Sequence, residues 1–212
     1  MKRYESNYKT LNEVLNKKGE IIAVSAPSGA GKTTIIKSIL KDIPELAFSV
    51  SATTRKKRDN EIDGVDYFFI SEKEFADKVK KNEFVEWEQF YGNYYGTFKN
   101  FIEENINKGK PILLEVDVKG ALNLKKIYPE SILIYIIPPS LNELVNRLKK
   151  RNTEDEASLR KRIERAEMEL SIKDKFDYFV DNKNLEKAIS ETKELIKKII
   201  SKETKSNGSS AN

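Results

Sequence analysis

Short apolar runs recur along the chain and alternate with segments whose apolar residues follow a helical spacing. Four runs are predicted to be strands: 20–25, 111–117, 131–137 and 176–180. The two central runs, PILLEVD and SILIYII, are apolar on both faces, which is typical of a parallel sheet. Three segments are predicted to be helices: 32–41, 140–150 and 184–202. The alternation predicts an α/β fold built as a doubly wound parallel sheet.

The pattern changes between about residues 51 and 97. Two stretches there, 66–70 and 83–97, are strand-like and aromatic but rich in polar residues. Between them, Ser71 and Glu74 have the spacing of a capping box, which predicts a helix. We therefore expect a small inserted lobe of mixed strands and helix.

A polar segment over 151–160 leads into an arginine-rich helix over 159–170, and we expect a mobile lid over about 147–165. The last ten residues contain almost nothing apolar and are expected to be disordered. The sequence thus divides into an extension over 1–19, a core over 20–50 and 98–202, the inserted lobe over 51–97 and a tail over 203–212.

Composition narrows the function classes. The 212 residues include neither cysteine nor histidine, which disfavours disulfides, zinc sites and hydrolases that rely on a histidine base. No apolar run approaches the roughly 20 residues needed to span a bilayer, and the first twenty residues carry acids, unlike a signal peptide. We expect a cytoplasmic protein, a monomer or a homodimer. The net charge is +5, but the lysines and arginines are interspersed with acidic residues along the chain. Nucleic-acid binding is therefore not expected.

The stretch SAPSGAGKTT follows the first strand and opens the first helix. It matches the Walker A spacing except that Ala26 stands at the first glycine. Successive backbone N–H groups, the helix N-terminus and Lys32 would hold a triphosphate, and Thr33 would ligate Mg²⁺. The alternative is a glycine-rich turn that merely joins strand to helix. The predicted ATP-binding residues are Ala26, Pro27, Ser28, Gly29, Ala30, Gly31, Lys32, Thr33 and Thr34, hereafter the P-loop.

Two stretches of the inserted lobe, SVSATTRKKRDNEIDGVDYFF and EFVEWEQFYGNYYGT, complete the pattern. Together with SAPSGAGKTT they resemble the guanylate kinase family of nucleoside monophosphate kinases, over about residues 20 to 202. The implied fold is a P-loop NTPase-type doubly wound parallel sheet with an inserted mixed β/α lobe that binds GMP and a helical lid. The implied reaction is transfer of a phosphoryl group from ATP to GMP or dGMP, with Mg²⁺.

The resemblance also implies a GMP site. Its phosphate would be held by Arg55, Arg58, Tyr67 and Tyr95, and its guanine read by Ser51 and Glu86, with Thr97 and Asp117 close by. The chemistry of these residues agrees, since two arginines can fork onto phosphate oxygens. A carboxylate can accept two hydrogen bonds from guanine N1–H and N2–H₂, whereas adenine has no N1–H.

Structural alternatives stand beside these assignments. Tyr67, Tyr94 and Tyr95 could be cross-strand aromatic packing, which is the preferred interpretation for Tyr94. Glu86 and Glu88 alternate around Trp87, and for Glu88 a solvent-facing strand position is preferred. The cluster from Arg55 to Arg58 could be only a charged loop.

The implied catalytic residues are Lys32, Arg151 and Arg162, the two arginines reaching the γ-phosphoryl group from the lid. The nucleophile would be an oxygen of the GMP phosphate. Its second pKa is about 6, so this oxygen is mostly deprotonated at neutral pH and needs no general base. For Arg147, Arg160 and Arg165 a solvated helix face, with acids such as Glu164 and Glu169, is at least as good an interpretation.

Asp117 follows a central strand and is assigned to Mg²⁺ through water or to GMP, with a loop-capping carboxylate as the alternative. Three places depart from the family pattern: Glu115 replaces an aspartate, Asn152 replaces a glycine, and VDNKN (180–184) puts adenine contacts near Asp181 and Asn182 in doubt.

Three rival functions stay open on the sequence. The first is another nucleotide or sugar-phosphate kinase on the same scaffold. The second is a phosphopeptide-binding module without catalysis, against which Lys32, Thr33 and the lid arginines argue. The third is a P-loop protein associated with nucleic acid.

Overall fold

The computed structural model describes the backbone of residues 18–90, 92–150 and 156–205, and their side chains except at 147–150, 156–159 and 202–205. In chain order the described elements are β1 (Ile21–Ser25), α1 (Lys32–Asp42), β2 (Ala47–Ser49), β3 (Ala52–Thr53), β4 (Phe68–Phe69), α2 (Glu72–Lys80), β5 (Phe84–Phe90), β6 (Asn93–Phe98), α3 (Lys99–Asn107), β7 (Ile112–Glu115), α4 (Val118–Ile127), β8 (Ile132–Ile137), α5 (Leu141–Lys150), α6 (Glu156–Ser171), a 3₁₀ turn (Lys173–Lys175), β9 (Tyr178–Asp181) and α7 (Leu185–Lys205).

Among these elements, β1 lies at the centre of a parallel sheet with strand order β2-β7-β1-β8-β9. Successive residues of a strand point to opposite faces, so Ile22 and Val24 pack on one side and Ile21 and Ala23 on the other. Helices α1 and α7 cover the first side, and α3 and α4 cover the second. The sheet is buried on both faces, and the carboxyl ends of its strands meet at one edge.

The predicted doubly wound α/β fold is confirmed, and each predicted core strand is present. The strand predicted over 176–180 is shifted, because a 3₁₀ turn precedes it and β9 covers Tyr178–Asp181. The terminal helix α7 continues to Lys205, three residues beyond its predicted end. None of the helices in the described ranges is both long and apolar enough to cross a bilayer.

The inserted lobe contains a second, mixed sheet with strand order β4-β3-β6-β5. Strands β5 and β6 form an antiparallel hairpin, and β3 runs parallel to β4. Helix α2 begins after Ser71, whose side chain accepts from the Glu74 N–H while the Glu74 carboxylate accepts from the Ser71 N–H. The predicted capping box is therefore confirmed, and the helix packs Phe75 against Phe84 of the sheet.

Two short strands, β2 and β3, and the helix α3 escaped prediction. Strands β2 and β3 contain three and two residues, too few for a periodicity to be recognised. Helix α3 begins directly after β6, and its N-cap, Phe98, has no side-chain hydrogen-bonding group to signal a helix start. Both helices α3 and α4 connect strands, as the parallel sheet requires.

The described ranges leave some sequence predictions untested. Residues 1–17 and 206–212, which include most of the predicted extension and tail, lie outside the description, as do residues 151–155 of the predicted lid. Helix α6 begins at Glu156, inside the segment predicted to precede the lid helix. The exact domain boundaries and the mobility of the lid stay predictions.

An ion pair between Lys37 and Asp66 is among the contacts that join the core to the inserted lobe. Lys37 of α1 places Nζ 2.6 Å from Oδ1 of Asp66, and Oδ2 of Asp66 accepts from the Ile62 N–H at 2.9 Å. The segment that leads to Tyr67 is thereby held against the helix that follows the P-loop.

Candidate active site

The P-loop has the backbone that its sequence predicts. Gly29 and Gly31 have φ values of 88° and 92°, in the left-handed region that favours glycine. Gly31 is the N-cap of α1, it supplies no capping side chain, and the first turn contains no acidic residue. The N-terminus of α1 therefore presents backbone N–H groups and the positive end of the helix dipole, which favour a bound phosphate.

Lys32 and Thr33 both point towards the carboxyl end of β7. Lys32 Nζ donates to the carbonyl of Val116 at 2.8 Å and lies 4.0 Å from Glu115 Oε1. The Thr33 hydroxyl donates to Glu115 Oε1 at 2.8 Å. The sequence analysis noted Glu115 only as a departure from the family pattern. Its position after an apolar strand, opposite a Lys-Thr pair, is the signal that could have identified it.

Asn182, directly after β9, supports the P-loop and was also missed as a structural residue. Its side chain is buried, and Nδ2 donates to the carbonyl of Ala30 at 2.6 Å. A Cβ added at Gly31 would lie 2.8 Å from the same Nδ2 atom. Asn182 thus holds the loop in place and leaves no room for a side chain at position 31. From the sequence, Asn182 was considered only as a doubtful contact for adenine.

The predicted phosphate cradle of the inserted lobe is organised around Glu61. Arg55 donates from Nη1 and Nη2 to the two Glu61 oxygens at 3.0 and 2.8 Å, and the Arg58 N–H donates to Oε2 at 2.8 Å. The guanidinium of Arg55 also lies 5.5 Å from the centre of the Tyr67 ring. The Arg58 side chain, by contrast, is 60% exposed. Sequence reasoning missed Glu61, which holds Arg55 in a fixed orientation.

Tyr67 and Tyr95 meet edge to face, with ring centroids 6.1 Å apart. Burial raises the pKa of the Tyr67 hydroxyl, and the nearby Glu115 carboxylate raises it further. Tyr67 therefore stays a neutral hydrogen-bond donor at neutral pH. Tyr94 stacks on Phe75 of α2, and its ring lies 6.1 Å from that of Trp87 on the paired strand β5, which confirms its predicted cross-strand packing.

Glu86 lies in β5 with its carboxylate directed into the cleft. It accepts a hydrogen bond from the Thr97 hydroxyl at 2.6 Å, and a Cβ added at Gly120 would lie 2.6 Å from its Oε2 atom. Burial raises the pKa of Glu86 to about 7; the carboxylates of Asp117 and Glu88 also raise it, whereas Thr97 and Lys32 lower it. The solvent-facing alternative for Glu86 is wrong.

The preferred interpretation of Glu88 is also wrong. Its side chain is only 18% exposed, because both carboxylate oxygens are paired with the guanidinium of Arg165 at 3.0 to 3.3 Å, and Lys119 Nζ lies 3.4 Å away. Burial raises the pKa of Glu88, and the adjacent Asp117 carboxyl raises it further. Alternation along β5 places Glu86 and Glu88 on the same face, towards the core.

Arg165 likewise departs from the solvated-face interpretation, since its side chain is 16% exposed and Glu169, its partner at 2.7 Å, is 3% exposed. Arg160 does conform to that interpretation, because its side chain is 83% exposed and pairs with Glu164 at 3.3 Å. Arg162, in the same helix, is half-buried. Arg151 and the side chain of Arg147 lie outside the described residues.

Asp117 is the N-cap of α4, so the loop-capping alternative describes its geometry. Oδ1 accepts from the Gly120 N–H at 2.8 Å, and Oδ2 lies 3.5 Å from Arg165 Nη2. Burial acts to raise the pKa of Asp117, but hydrogen bonds with Glu88 and the Gly120 N–H, together with Arg165, lower it below its usual value. Asp117 thus stays ionised beside Glu86 and Glu88.

Contacts connect several of the predicted residues: Glu86 bonds Thr97 and lies against Gly120 in the helix that Asp117 caps, and Lys32 bonds the carbonyl of Val116, next to Asp117. Ser51 immediately precedes β3, and its carbonyl accepts from the Phe68 N–H at 2.9 Å. Within the described ranges, no group of three or more acidic residues has the arrangement of a metal site. Oxygen donors for a metal are nevertheless present at the mouth of the P-loop, in Thr33 and Glu115.

The family model for guanylate kinase matches residues 18–199. This chain belongs to the guanylate kinase family. It is 50% identical over 172 residues to a guanylate kinase of Thermotoga maritima, covering 81% of this chain and 83% of that one. A guanylate kinase of Chlorobium chlorochromatii is 49% identical over 179 residues, covering 84% of this chain and 94% of the relative.

A solved structure agrees. The crystal structure of guanylate kinase from Anaplasma phagocytophilum superposes with a TM-score of 0.71 at 31% identity, covering 89% of this chain and 87% of that one. The guanylate kinase resemblance predicted from the P-loop and the inserted lobe is therefore confirmed, and with it the P-loop NTPase-type fold.

Proposed function

We propose that this chain transfers the γ-phosphoryl group of ATP to the phosphate of GMP, and of dGMP, giving ADP and the nucleoside diphosphate. One observation carries the proposal: Glu86 and Lys32 both reach the start of α4, where Lys32 Nζ donates to the Val116 carbonyl at 2.8 Å and Glu86 Oε2 lies 2.6 Å from the position that a Cβ at Gly120 would take. A guanine-reading group and a triphosphate-binding group therefore face one cleft, as the transfer of a phosphoryl group between two nucleotides requires.

In the proposed complex, guanine lies against Glu86 and Thr97. Glu86 accepts from N1–H and N2–H₂, and Thr97, which bonds Glu86 at 2.6 Å, keeps the carboxylate oriented. Ser51 and Asp117 complete the base contacts. We assign Asp117 to guanine because it lies beside Glu86 at the start of α4, and its contact with Mg²⁺ through water stays a prediction.

The phosphate of GMP lies in the cradle formed by Arg55, Arg58, Tyr67 and Tyr95. Glu61 already orients Arg55, so little side-chain freedom is lost when the phosphate binds. The two phenol groups donate hydrogen bonds without adding negative charge. The phosphate oxygen that attacks ATP is largely deprotonated at neutral pH, since its pKa is about 6, so the absence of histidine costs nothing.

The triphosphate of ATP lies on the P-loop, with Lys32 at its β- and γ-phosphates. Residues present at the loop fit a magnesium ion, because the Thr33 hydroxyl and the Glu115 carboxylate are hard oxygen donors 2.8 Å apart. Such an ion, when bound, neutralises charge on the phosphates. Arg151 and Arg162 are proposed to reach the transferred group from the lid side.

A substrate panel tests the proposal. With ATP and Mg²⁺, the purified chain is expected to phosphorylate GMP and dGMP, and not AMP, CMP, UMP or ribose bisphosphate. Glu86→Gln is expected to raise the KM for GMP about tenfold or more and to leave the KM for ATP unchanged, because an unpaired polar group in a buried site is costly.

Glu83→Gln is the matched control, since Glu83 precedes β5 and pairs with Lys78 at 2.9 Å, away from the cleft. No turnover of GMP by the unmodified chain would refute the proposed function. Unchanged GMP kinetics in Glu86→Gln would remove Glu86 from the base site. Location in the cytoplasm and a monomeric or homodimeric state stay predictions from the sequence.

A further inference from the structure

The guanidinium of Arg165 contacts two other elements, β5 and the N-cap of α4, and one residue of its own helix. It pairs with Glu88 through two N–H groups at 3.0 and 3.3 Å, with Asp117 Oδ2 at 3.5 Å and with Glu169 Oε1 at 2.7 Å. Its central carbon also lies 3.9 Å from the centre of the Phe90 ring. Sequence patterns alone did not distinguish this residue from the exposed arginines of the same helix.

These partners belong to elements with different functions. Glu88 and Phe90 are in β5, the strand that carries Glu86, and Asp117 caps α4 beside Glu86. Arg165 itself is in α6, three residues after Arg162, so the two arginines lie on adjacent turns of one helix. Arg165 therefore connects the strand that carries Glu86 to the helix that carries Arg162.

The contact is specific in its chemistry. A guanidinium can bind a carboxylate through two parallel hydrogen bonds and stack on an aromatic ring at the same time, which an ammonium group cannot do. The side chains of Arg165, Glu88 and Glu169 are all less than one fifth exposed. Their pairing is thus poorly screened by solvent, and the second cation near Glu88, Lys119, is 56% exposed.

We propose that Arg165 is a positioning residue that couples β5 to α6, so that guanine binding at Glu86 and the placement of Arg162 depend on each other. This inference rests on the proposed function. When guanine binds Glu86, it fixes the position of β5. Glu88 and Phe90 of β5 then fix the position of Arg165, and Arg165 in turn fixes the position of α6. Arg165 contacts neither nucleotide and acts through its neighbours.

The test compares Arg165→Met, Arg165→Lys and the matched control Arg160→Met. Arg160 is in the same helix but is 83% exposed and pairs with Glu164 in the adjacent turn. Arg165→Met is expected to raise the KM for GMP and to lower kcat, each by about tenfold, with the KM for ATP within about twofold. Arg165→Lys is expected to restore only part of the loss, and Arg160→Met to match the unmodified chain.

A double-mutant cycle separates coupling from a general loss of structure. Glu88→Gln is expected to reproduce the GMP effect, and the double variant is expected to be no worse than Arg165→Met, since both remove one contact. Thermal unfolding of each variant shows whether it is folded at the assay temperature. Kinetics are then compared only between variants that are folded.

Four outcomes would overturn the inference: Arg165→Met matching Arg160→Met, equal rises in the KM for GMP and ATP, additive effects in the double variant, or full rescue by lysine. The proposed function is judged separately, by the turnover of GMP by the unmodified chain. If that chain is active and Arg165→Met is unaffected, only the inference fails; if it is inactive towards GMP, both fail.

Discussion

Among single residues, Glu86 combines burial, a raised pKa and a directed hydrogen bond. Its neighbour Glu88 has the same charge and lies on the same face of β5, yet it is engaged by Arg165 and Lys119 rather than by a hydroxyl. Two glutamates that look equivalent in the sequence thus have different partners. The difference comes from contacts with residues far along the chain, which the alternation around Trp87 could not reveal.

Lys32 offers a direct prediction at this scale. Replacing Lys32 with alanine removes the cation that lies beside the P-loop and is expected to lower kcat at least about 10²-fold, as the loss of one preorganised charge donor does. Binding of GMP, measured by calorimetry, is expected to persist, because its contacts are in the inserted lobe. Lys41→Ala, at the exposed end of α1, is the control. A near-normal rate in Lys32→Ala would contradict the P-loop assignment.

At the scale of elements, the N-terminus of α4 forms one wall of the proposed base site. Gly120 is in the first turn of this helix, and no larger residue fits there without moving Glu86. Asp117 caps the same turn and holds it beside β5. A helix start in the core and a strand of the inserted lobe are thereby packed together.

Gly120→Ala is expected to impair GMP use without loss of stability. The new Cβ would lie 2.6 Å from Glu86 Oε2, the end of a flexible side chain, so the carboxylate is displaced while the helix gains up to about 1 kcal/mol from alanine. The KM for GMP should rise about tenfold, which corresponds to about 1.4 kcal/mol. Steady-state kinetics and thermal unfolding measure the two effects.

Asn123→Ala, at an exposed position of the same helix, is the control for the Gly120 substitution. An unchanged KM for GMP in Gly120→Ala, together with normal stability, would show that the displaced carboxylate does not read the base.

The P-loop depends on a neighbouring element, since Asn182 of the segment after β9 holds the Ala30 carbonyl. Asn182→Ala leaves that carbonyl without its donor and is expected to cost about 1–3 kcal/mol in the free energy of unfolding. A loosened loop should also raise the KM for ATP several-fold, with the KM for GMP unchanged. Urea denaturation and kinetics test both expectations, with Lys183→Ala as the exposed control. Unaltered ATP kinetics would mean that the loop holds its conformation alone.

For the molecule as a whole, carboxylates are concentrated where the inserted lobe meets the core. Glu86, Glu88 and Asp117 lie close enough to shift each other's pKa values, and Lys32 and Arg165 provide the compensating charge. Such an arrangement favours a function in the site at the expense of stability, because buried like charges repel.

This arrangement predicts a pH dependence of unfolding. The pKa of Glu86 is raised from 4.5 to about 7 in the folded chain, so the folded state binds a proton that the unfolded state has lost between these values. The stabilising contribution of Glu86 is therefore complete below pH 4.5 and is lost as the pH rises to about 7. Relative to Glu86→Gln, the unmodified chain should lose up to about 3 kcal/mol across this range.

Urea denaturation at a series of pH values measures that difference, and Glu83→Gln serves as the control for a carboxylate outside the cleft. A constant difference between Glu86→Gln and the unmodified chain at every pH would show that the pKa of Glu86 is the same in the folded and unfolded states. Its burial in the cleft would then be compensated more fully than the contacts with Thr97 and Lys32 indicate.

Much of this protein could be predicted from local sequence. Strand and helix periods, the capping box of Ser71 and Glu74, and the spacing of SAPSGAGKTT each depend on residues a few positions apart. These short-range signals were sufficient for the doubly wound fold, for the P-loop and for the family. The short elements β2 and β3 were missed because two or three residues carry no period.

Only the tertiary structure decided which charged side chains work together. The contacts of Arg165 with Glu88, of Thr33 with Glu115 and of Asn182 with Ala30 join residues 77, 82 and 152 positions apart. No local spacing encodes such contacts, because they arise where the carboxyl ends of the parallel strands meet the inserted lobe. The chemical types at the site were therefore predictable, and their partners and burial were not.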